Sequence, residues 1–242
     1  MKRLIFDSGP IITLSTTNLL WLLEPLKQRF GGSFAITETV YNELVGHPFE
    51  IKRFKFEALQ IKELIEKNVL EILPSQPFKE RTERILNLAN NSFEAHRQPI
   101  TLVQRGEAET LAACVLANAD GIVVDERITR MMLEQPEDLA EMLSHRLHTR
   151  VFHNQQAGTE MQRIAGKPKI LRSAELVLLA YEAGLLDRFK VRLKNVEYEL
   201  LDSLLWGVKL HGCAITPEEI ENLLRILVPD QAAAAPSSNG KP

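Results

Sequence analysis

The chain's 242 residues predict an α/β fold, a central parallel sheet with helices on both faces. Three observations carry this. Short apolar runs alternate with longer segments of helical spacing through most of the chain. Two of the short runs, Arg3-Leu4-Ile5-Phe6-Asp7 and Ile122-Val123-Val124-Asp125, read as buried strands that each end in aspartate. The composition, 45% hydrophobic and 25% charged but only 6% aromatic, is that of a globular chain rich in helix formers.

In order along the chain, the first strand, 3–7, is followed by Gly9 and Pro10, which punctuate a turn. A helix is expected over 18–29, stopped by Gly31-Gly32, and a second strand over 33–36. Thr37 can cap a helix to about residue 45, ended by Gly46 and Pro48. Residues 56–67 have helical spacing, with Leu59, Ile61, Leu64 and Ile65 assigned to one face, and 69–73 is a short strand. Residues 78–97 are charged and helical, suited to the surface or a dimer contact. A strong helix covers 106–118, the second aspartate-ended strand 122–125, and a further helix opens at 127.

Beyond residue 135 the pattern loosens. A helix over 139–147 and a short strand at Val151-Phe152 are expected, then helices over 173–183, stopped by Gly184, and over 187–200. Thr216-Pro217-Glu218-Glu219 is a helix start with a capping hydroxyl, proline at the first position and acids facing the dipole. The expected organisation is one domain over 1–229, with helical insertions near 47–105 and 135–170 and a disordered Ala/Pro/Ser/Gly tail over 230–242.

A net charge of −3 argues against binding nucleic acid by overall charge, so any such contact must use local patches or metal ions. Two cysteines without zinc-type spacing fit a reducing, cytoplasmic setting. No apolar run reaches the roughly 18 residues of a membrane span.

If the two aspartate-ended strands are neighbours, Asp7 and Asp125 share the crevice where open α/β sheets bind ligands. Adjacent carboxylates repel, a divalent cation removes the repulsion, and oxygen-only donors suit Mg²⁺ or Mn²⁺. Helices just after strands add Glu43, Glu107 and Glu109. The last two point about 200° apart on their helix, and pattern alone does not choose between them. Singly, each acid has a plain alternative: a turn residue, a helix cap, a dipole complement or a solvated charge.

Four segments together resemble the PIN-domain family. Asp7-Ser8-Gly9-Pro10-Ile11-Ile12 resembles its opening motif, and Ile36-Thr37-Glu38-Thr39-Val40-Tyr41-Asn42-Glu43-Leu44 its second. Gly106-Glu107-Ala108-Glu109-Thr110-Leu111-Ala112 resembles the third, and Ile122-Val123-Val124-Asp125-Glu126-Arg127, with Arg130, the fourth. They are most similar to the branch with Gly-Glu-x-Glu in the third motif, and residues 174–226 also resemble that branch's C-terminal part.

The resemblance implies a PIN-like three-layer α/β/α fold and a metal-dependent ribonuclease. By position, Asp7, Glu43, Glu109 and Asp125 would bind Mg²⁺ or Mn²⁺ and act catalytically. Glu107 and Glu126 would lie nearby, Ser8 would orient Asp7, and Arg127 and Arg130 would be available to the RNA backbone. It also implies a homodimer and an antitoxin or other protein partner. Two departures set the chain apart from compact toxins: Glu rather than Asp in the third motif, and the longer stretches 46–105 and 152–169. Lys52, Arg53 and Lys55 read first as a solvated loop and second as phosphate contacts. The alternative to a nuclease is a non-catalytic scaffold for RNA or protein. A nucleotide-binding fold is disfavoured because no glycine-rich phosphate loop follows any strand.

Overall fold

The apolar runs become the strands of a parallel sheet. The computed structural model describes residues 2–229, so the expected disorder of 230–242 falls outside the described residues. The strands are β1 (Arg3–Phe6), β2 (Ser33–Thr37), β3 (Leu70–Leu73), β4 (Phe93–Ala95), β5 (Gln98–Pro99), β6 (Gly121–Val123), β7 (Val151–His153) and β8 (Lys169–Leu171). Five of them form the parallel sheet, in the order β3-β2-β1-β6-β8, and β5-β4-β7 form a small antiparallel sheet.

Helices α1 (Ser8–Thr16) and α2 (Leu23–Phe30) separate β1 from β2. Helices α3 (Glu38–Tyr41), α4 (His47–Glu50) and α5 (Lys55–Glu66) separate β2 from β3. Next come α6 (Lys79–Asn90), α7 (Arg105–Leu116), α8 (Arg127–Glu134), α9 (Pro136–Leu147) and α10 (Gln155–Ala165). The described chain closes with α11 (Ser173–Glu182), α12 (Val196–Leu210) and α13 (Pro217–Leu227).

Side chains alternate across a strand, so β1 feeds two cores. Leu4 and Phe6 pack with Phe34, Ile36 and Val123 against residues of α11 and α12. Ile5 faces the other way, joining Ile122, Val124 and residues of α6, α7 and α10. Two apolar layers on one sheet make the three-layer arrangement that the alternating pattern predicts.

The stops and caps behave as their chemistry requires. Gly31 ends α2 and Gly184 follows α11, at φ values of 64° and 71° that favour glycine. Thr37 accepts from the Val40 amide, and Thr216 and Glu219 cap α13 reciprocally.

Other elements differ from expectation. Gly9 and Pro10 lie in the first turn of α1 rather than in a turn after β1. A proline fits there because first-turn amides have no partner within the helix. The helix expected over 18–29 is broken at its start: Asn18 takes φ 57°, a tight turn covers Leu20–Leu22, and α2 begins at Leu23. On α5 the buried face is Ala58, Ile61 and Leu64, and Leu59 points to solvent. Leu59 and Ile61 are about 200° apart around a helix, so they cannot share a face.

The helix expected over 78–97 ends at Asn90, and β4 and β5 follow as a hairpin turned by His96 and Arg97 at φ 52° and 62°. Helix α10 and strand β8 had no clear sequence signal. Only a one-turn helix, Asp187–Phe189, forms before α12.

Candidate active site

The site grows from the pairing of β1 with β6. Ile5 lies opposite Ile122 and Phe6 opposite Val123, and the Asp7 amide continues the ladder to the Val123 carbonyl at 2.9 Å. Asp7 and Asp125 therefore emerge side by side at the carboxyl edge of the sheet. A cleft of about 640 Å³ opens there, lined by Asp7, Glu43, Glu107, Asp125 and Glu126, with Ser8, Gln104 and Arg127 at its margins.

Each acid is positioned differently. Asp7 caps α1, accepting from the Gly9 amide at 3.4 Å, and only 6% of it is exposed. Glu43 stands on a π-helical turn, Asn42–Gly46, that interrupts the helix after β2. Gly106 makes room for it: a Cβ there would lie 2.7 Å from Glu43 Oε1. Glu107 opens α7, accepting from the Gln104 amide at 2.7 Å and the Thr129 hydroxyl at 3.2 Å. Glu126 caps α8 by accepting from the Ile128 amide at 2.9 Å.

Asp125 is held most tightly. One of its oxygens accepts from the Ser173 amide at 2.7 Å. The other accepts from the Thr13 hydroxyl at 2.8 Å and the Ser173 hydroxyl at 2.9 Å. Its side chain thus ties β6 to α1 and to the start of α11.

Electrostatics links the acids. Burial pushes Asp7 up from 3.8 to about 6, with Glu43 and Asp125 adding repulsion and the Ser8 and Gly9 amides offsetting part of the rise. Burial also pushes Glu107 up from 4.5 to about 7, with Asp7 and Glu126 adding repulsion. The cleft holds more negative charge than it can solvate, which is the condition a bound cation relieves.

The donor set fits a hard divalent cation, since the side chains that could hold one are all carboxylates. Among the described residues, however, no three His, Cys, Asp or Glu side chains stand together as a ready-made ligand cluster.

Asp7, Glu43, Asp125, Glu126 and Ser8 all reach the cleft, and the Ser8 contribution to Asp7 comes from its amide. Glu109 does not reach it. It is 2% exposed and faces a separate cavity of about 120 Å³ with Lys79 and Arg105. There it accepts from the Thr39 hydroxyl, and its second oxygen has no hydrogen-bond partner. Of the two third-motif glutamates, Glu107 is therefore the one at the sheet edge. The half-turn that separates them sends Glu109 to the opposite flank of α7. Arg130 is also displaced: it stands toward Glu219, while Arg127 lines the cleft.

Sequence reasoning passed over Thr13, Ser173 and Arg172. Arg172 is 8% exposed and joins α11 to α13 through Glu175, Glu219 and the Ala214 carbonyl. Ala214 and Gly212 line the cleft, and the Ala214 amide donates to the Asp125 carbonyl at 3.1 Å. Both cysteines are buried: burial pushes Cys114 to about 11, and burial with the nearby Asp125 pushes Cys213, beside Ser173, to about 12.

An open parallel sheet with acids gathered beyond adjacent strand ends defines an α/β protein with an acidic ligand site at its carboxyl edge. The chain belongs to the PIN-domain family DUF3368, whose family model matches residues 3–137. PIN domains are typically nucleases and generally use divalent metals. No curated protein and no solved structure matches the chain. Gly212 and Ala214, which also line the cleft, and Ser173, which holds Asp125, lie beyond the matched span. Among the described residues no helix is long and apolar enough to cross a membrane.

Proposed function

We propose that the protein is a divalent-metal-dependent endoribonuclease whose catalytic acids are Asp7, Glu43 and Glu107, with Asp125 positioning them and Glu126 and Ser8 in support. The observation that carries this reading is the shared field of the five acids in one cleft, two of them driven toward neutral pKa by burial and mutual repulsion. Asp7, Glu43 and Glu107 would hold Mg²⁺ or Mn²⁺, with Asp125 fixing the adjoining strand end. The bound ion would activate a water molecule and stabilise charge on the phosphate.

The chain's own residues do the rest. Arg127 at the margin offers a cation to the phosphate backbone. RNA processing and a toxin-like role with an antitoxin partner both fit this activity, and the family resemblance adds a homodimer.

The test is cleavage of RNA by the purified protein in Mg²⁺ or Mn²⁺. Chelation and Asp7→Asn are each expected to lower the rate by about 100-fold or more, equivalent to ~3 kcal/mol. Glu107→Gln should do the same, while Glu109→Gln should leave cleavage within about threefold, a change worth under ~1 kcal/mol. Undiminished cleavage by Asp7→Asn would sink the assignment.

One observation favours a second reading, a non-catalytic scaffold. Both oxygens of Asp125 are already engaged by protein donors, leaving the acids short of a preformed cage. Calorimetric Mn²⁺ titration separates the two. Binding that disappears in Asp7→Asn excludes the scaffold.

A further inference from the structure

We propose that the exposed segment 47–59, which leaves the cleft just beyond Glu43, is a platform for single-stranded RNA. Bases would stack on Phe54 and Phe56, and Lys52, Arg53 and Lys55 would hold the backbone phosphates. The choice of RNA rests on the nuclease reading above.

The segment is unusual in what it leaves in solvent. Phe49, Ile51, Phe54, Phe56 and Leu59 are all exposed, Phe56 by 69%. Helix α4 buries no residue, and α5 turns Ala58, Ile61 and Leu64 inward on its opposite side. Core packing therefore does not account for these rings.

Cations are interleaved with them. The Arg53 guanidinium lies 5.3 Å from the centre of the Phe54 ring, and Lys55 Nζ lies 4.9 Å from that of Phe49. In a chain of net charge −3, Lys52, Arg53 and Lys55 make a local run of positive charge, flanked within the segment by Glu50 and Glu57. Alternating π-faces and cations suit a single strand, whose bases stack in any sequence and whose phosphates need neutralising.

Charge also decides between RNA and a second copy. A two-fold contact sets a patch against itself, so the three cations would meet their own counterparts. The centres of protein interfaces are depleted of lysine. A phosphate backbone presents the opposite sign.

Position links the platform to the chemistry. Six residues separate Glu43 from Phe49 through the π turn and α4. At about 1.5 Å per residue that is roughly 9 Å. The platform thus begins one π turn and one short helix beyond Glu43.

The test is fluorescence anisotropy of a short labelled oligouridylate with the full Asp7→Asn chain in EDTA, where cleavage is suppressed. Adding Phe54→Ala and Phe56→Ala together should weaken binding by about 10- to 100-fold. Replacing Lys52, Arg53 and Lys55 by alanine should flatten the log–log salt dependence by about 2. Phe56→Trp should retain affinity, with its fluorescence quenched as RNA is added. These side chains are exposed, so the variants should fold, and thermal melting checks this.

Unchanged affinity in the double alanine variant overturns the platform. So does sedimentation showing that Phe56→Ala dissolves a dimer while RNA affinity holds, which would give the patch to a second copy. Because the readout is binding, a wild-type chain that never cleaves RNA but loses affinity on the phenylalanine substitutions supports the platform and overturns the nuclease reading alone.

Discussion

The ends of β1 and β6 carry the same residue in the same sheet environment, yet their aspartates do opposite things. Asp125 has three protein donors between 2.7 and 2.9 Å, reaching in from α1 and α11. Asp7 has only the backbone amides of Ser8 and Gly9 beside it, the latter at a long 3.4 Å, and its carboxyl group is pushed up to about 6. A buried carboxylate with good donors is a cross-link, and one with few donors and acidic neighbours is a store of electrostatic strain. An aspartate at a strand end thus says where a site is, and the donors around it say which member is structural and which is poised for a ligand.

Removing the carboxylate at the β6 end should have the largest effect on stability. Asp125→Ala takes the carboxylate acceptor from the Ser173 amide and hydroxyl in a buried setting and leaves the Thr13 hydroxyl only the His211 carbonyl. The expected loss is ~4 kcal/mol by urea denaturation. A loss below about 1 kcal/mol would remove the distinction drawn between the two strand ends.

At the β1 end the effect reverses sign and depends on pH. Asp7 and Glu107 titrate higher in the folded chain than their ordinary 3.8 and 4.5, so the folded state holds more protons between about pH 4 and 7. The stability they contribute is complete below pH 4 and is lost as pH rises through about 6 and 7. For Asp7 the rise from 3.8 to about 6 corresponds to ~3 kcal/mol. In EDTA, stability should fall from pH 4 to pH 8 by about this much for Asp7 and by a similar amount for Glu107, and Asp7→Asn should remove its own share of the fall. Mg²⁺, by favouring the ionised carboxylates, should flatten it too. A wild-type profile that is level in EDTA would contradict the strained state of Asp7.

The smallest expected change sharpens the contrast. Ser173→Ala deletes one of the Asp125 bonds and keeps the backbone one, for ~1–2 kcal/mol in the same denaturation assay. It should leave the pH profile set by Asp7 unchanged.

Much of the edge on which these acids stand was legible. The strands around Ile5 and Ile122, the glycine stops and the Thr216 cap follow from local rules that the chain obeys. The hairpin at residues 93–99 was not legible, because its turn uses His96 and Arg97 where Asn-Gly would announce one. The exposed rings near Phe56 were hidden by a periodicity that placed Leu59 on the inner face. Ser173 and Thr13 gave no signal, since their importance lies in reaching Asp125 from 48 and 112 residues away along the chain.

Glu107 and Glu109 show where local chemistry stops and packing takes over. The sequence fixes that two acids begin one helix, half a turn apart, after the second motif and before the second aspartate-ended strand. It also supplies the alternation that splits β1 between two cores. Which acid meets the cleft depends on how α7 is rolled against the sheet. Ala108, Leu111 and Ala112 are wholly buried and set that roll, turning Glu107 to the carboxyl edge and Glu109 toward Thr39. Rotation of a helix about its axis costs nothing until its neighbours are in place, so that choice belongs to the packed core and is absent from any local stretch of residues.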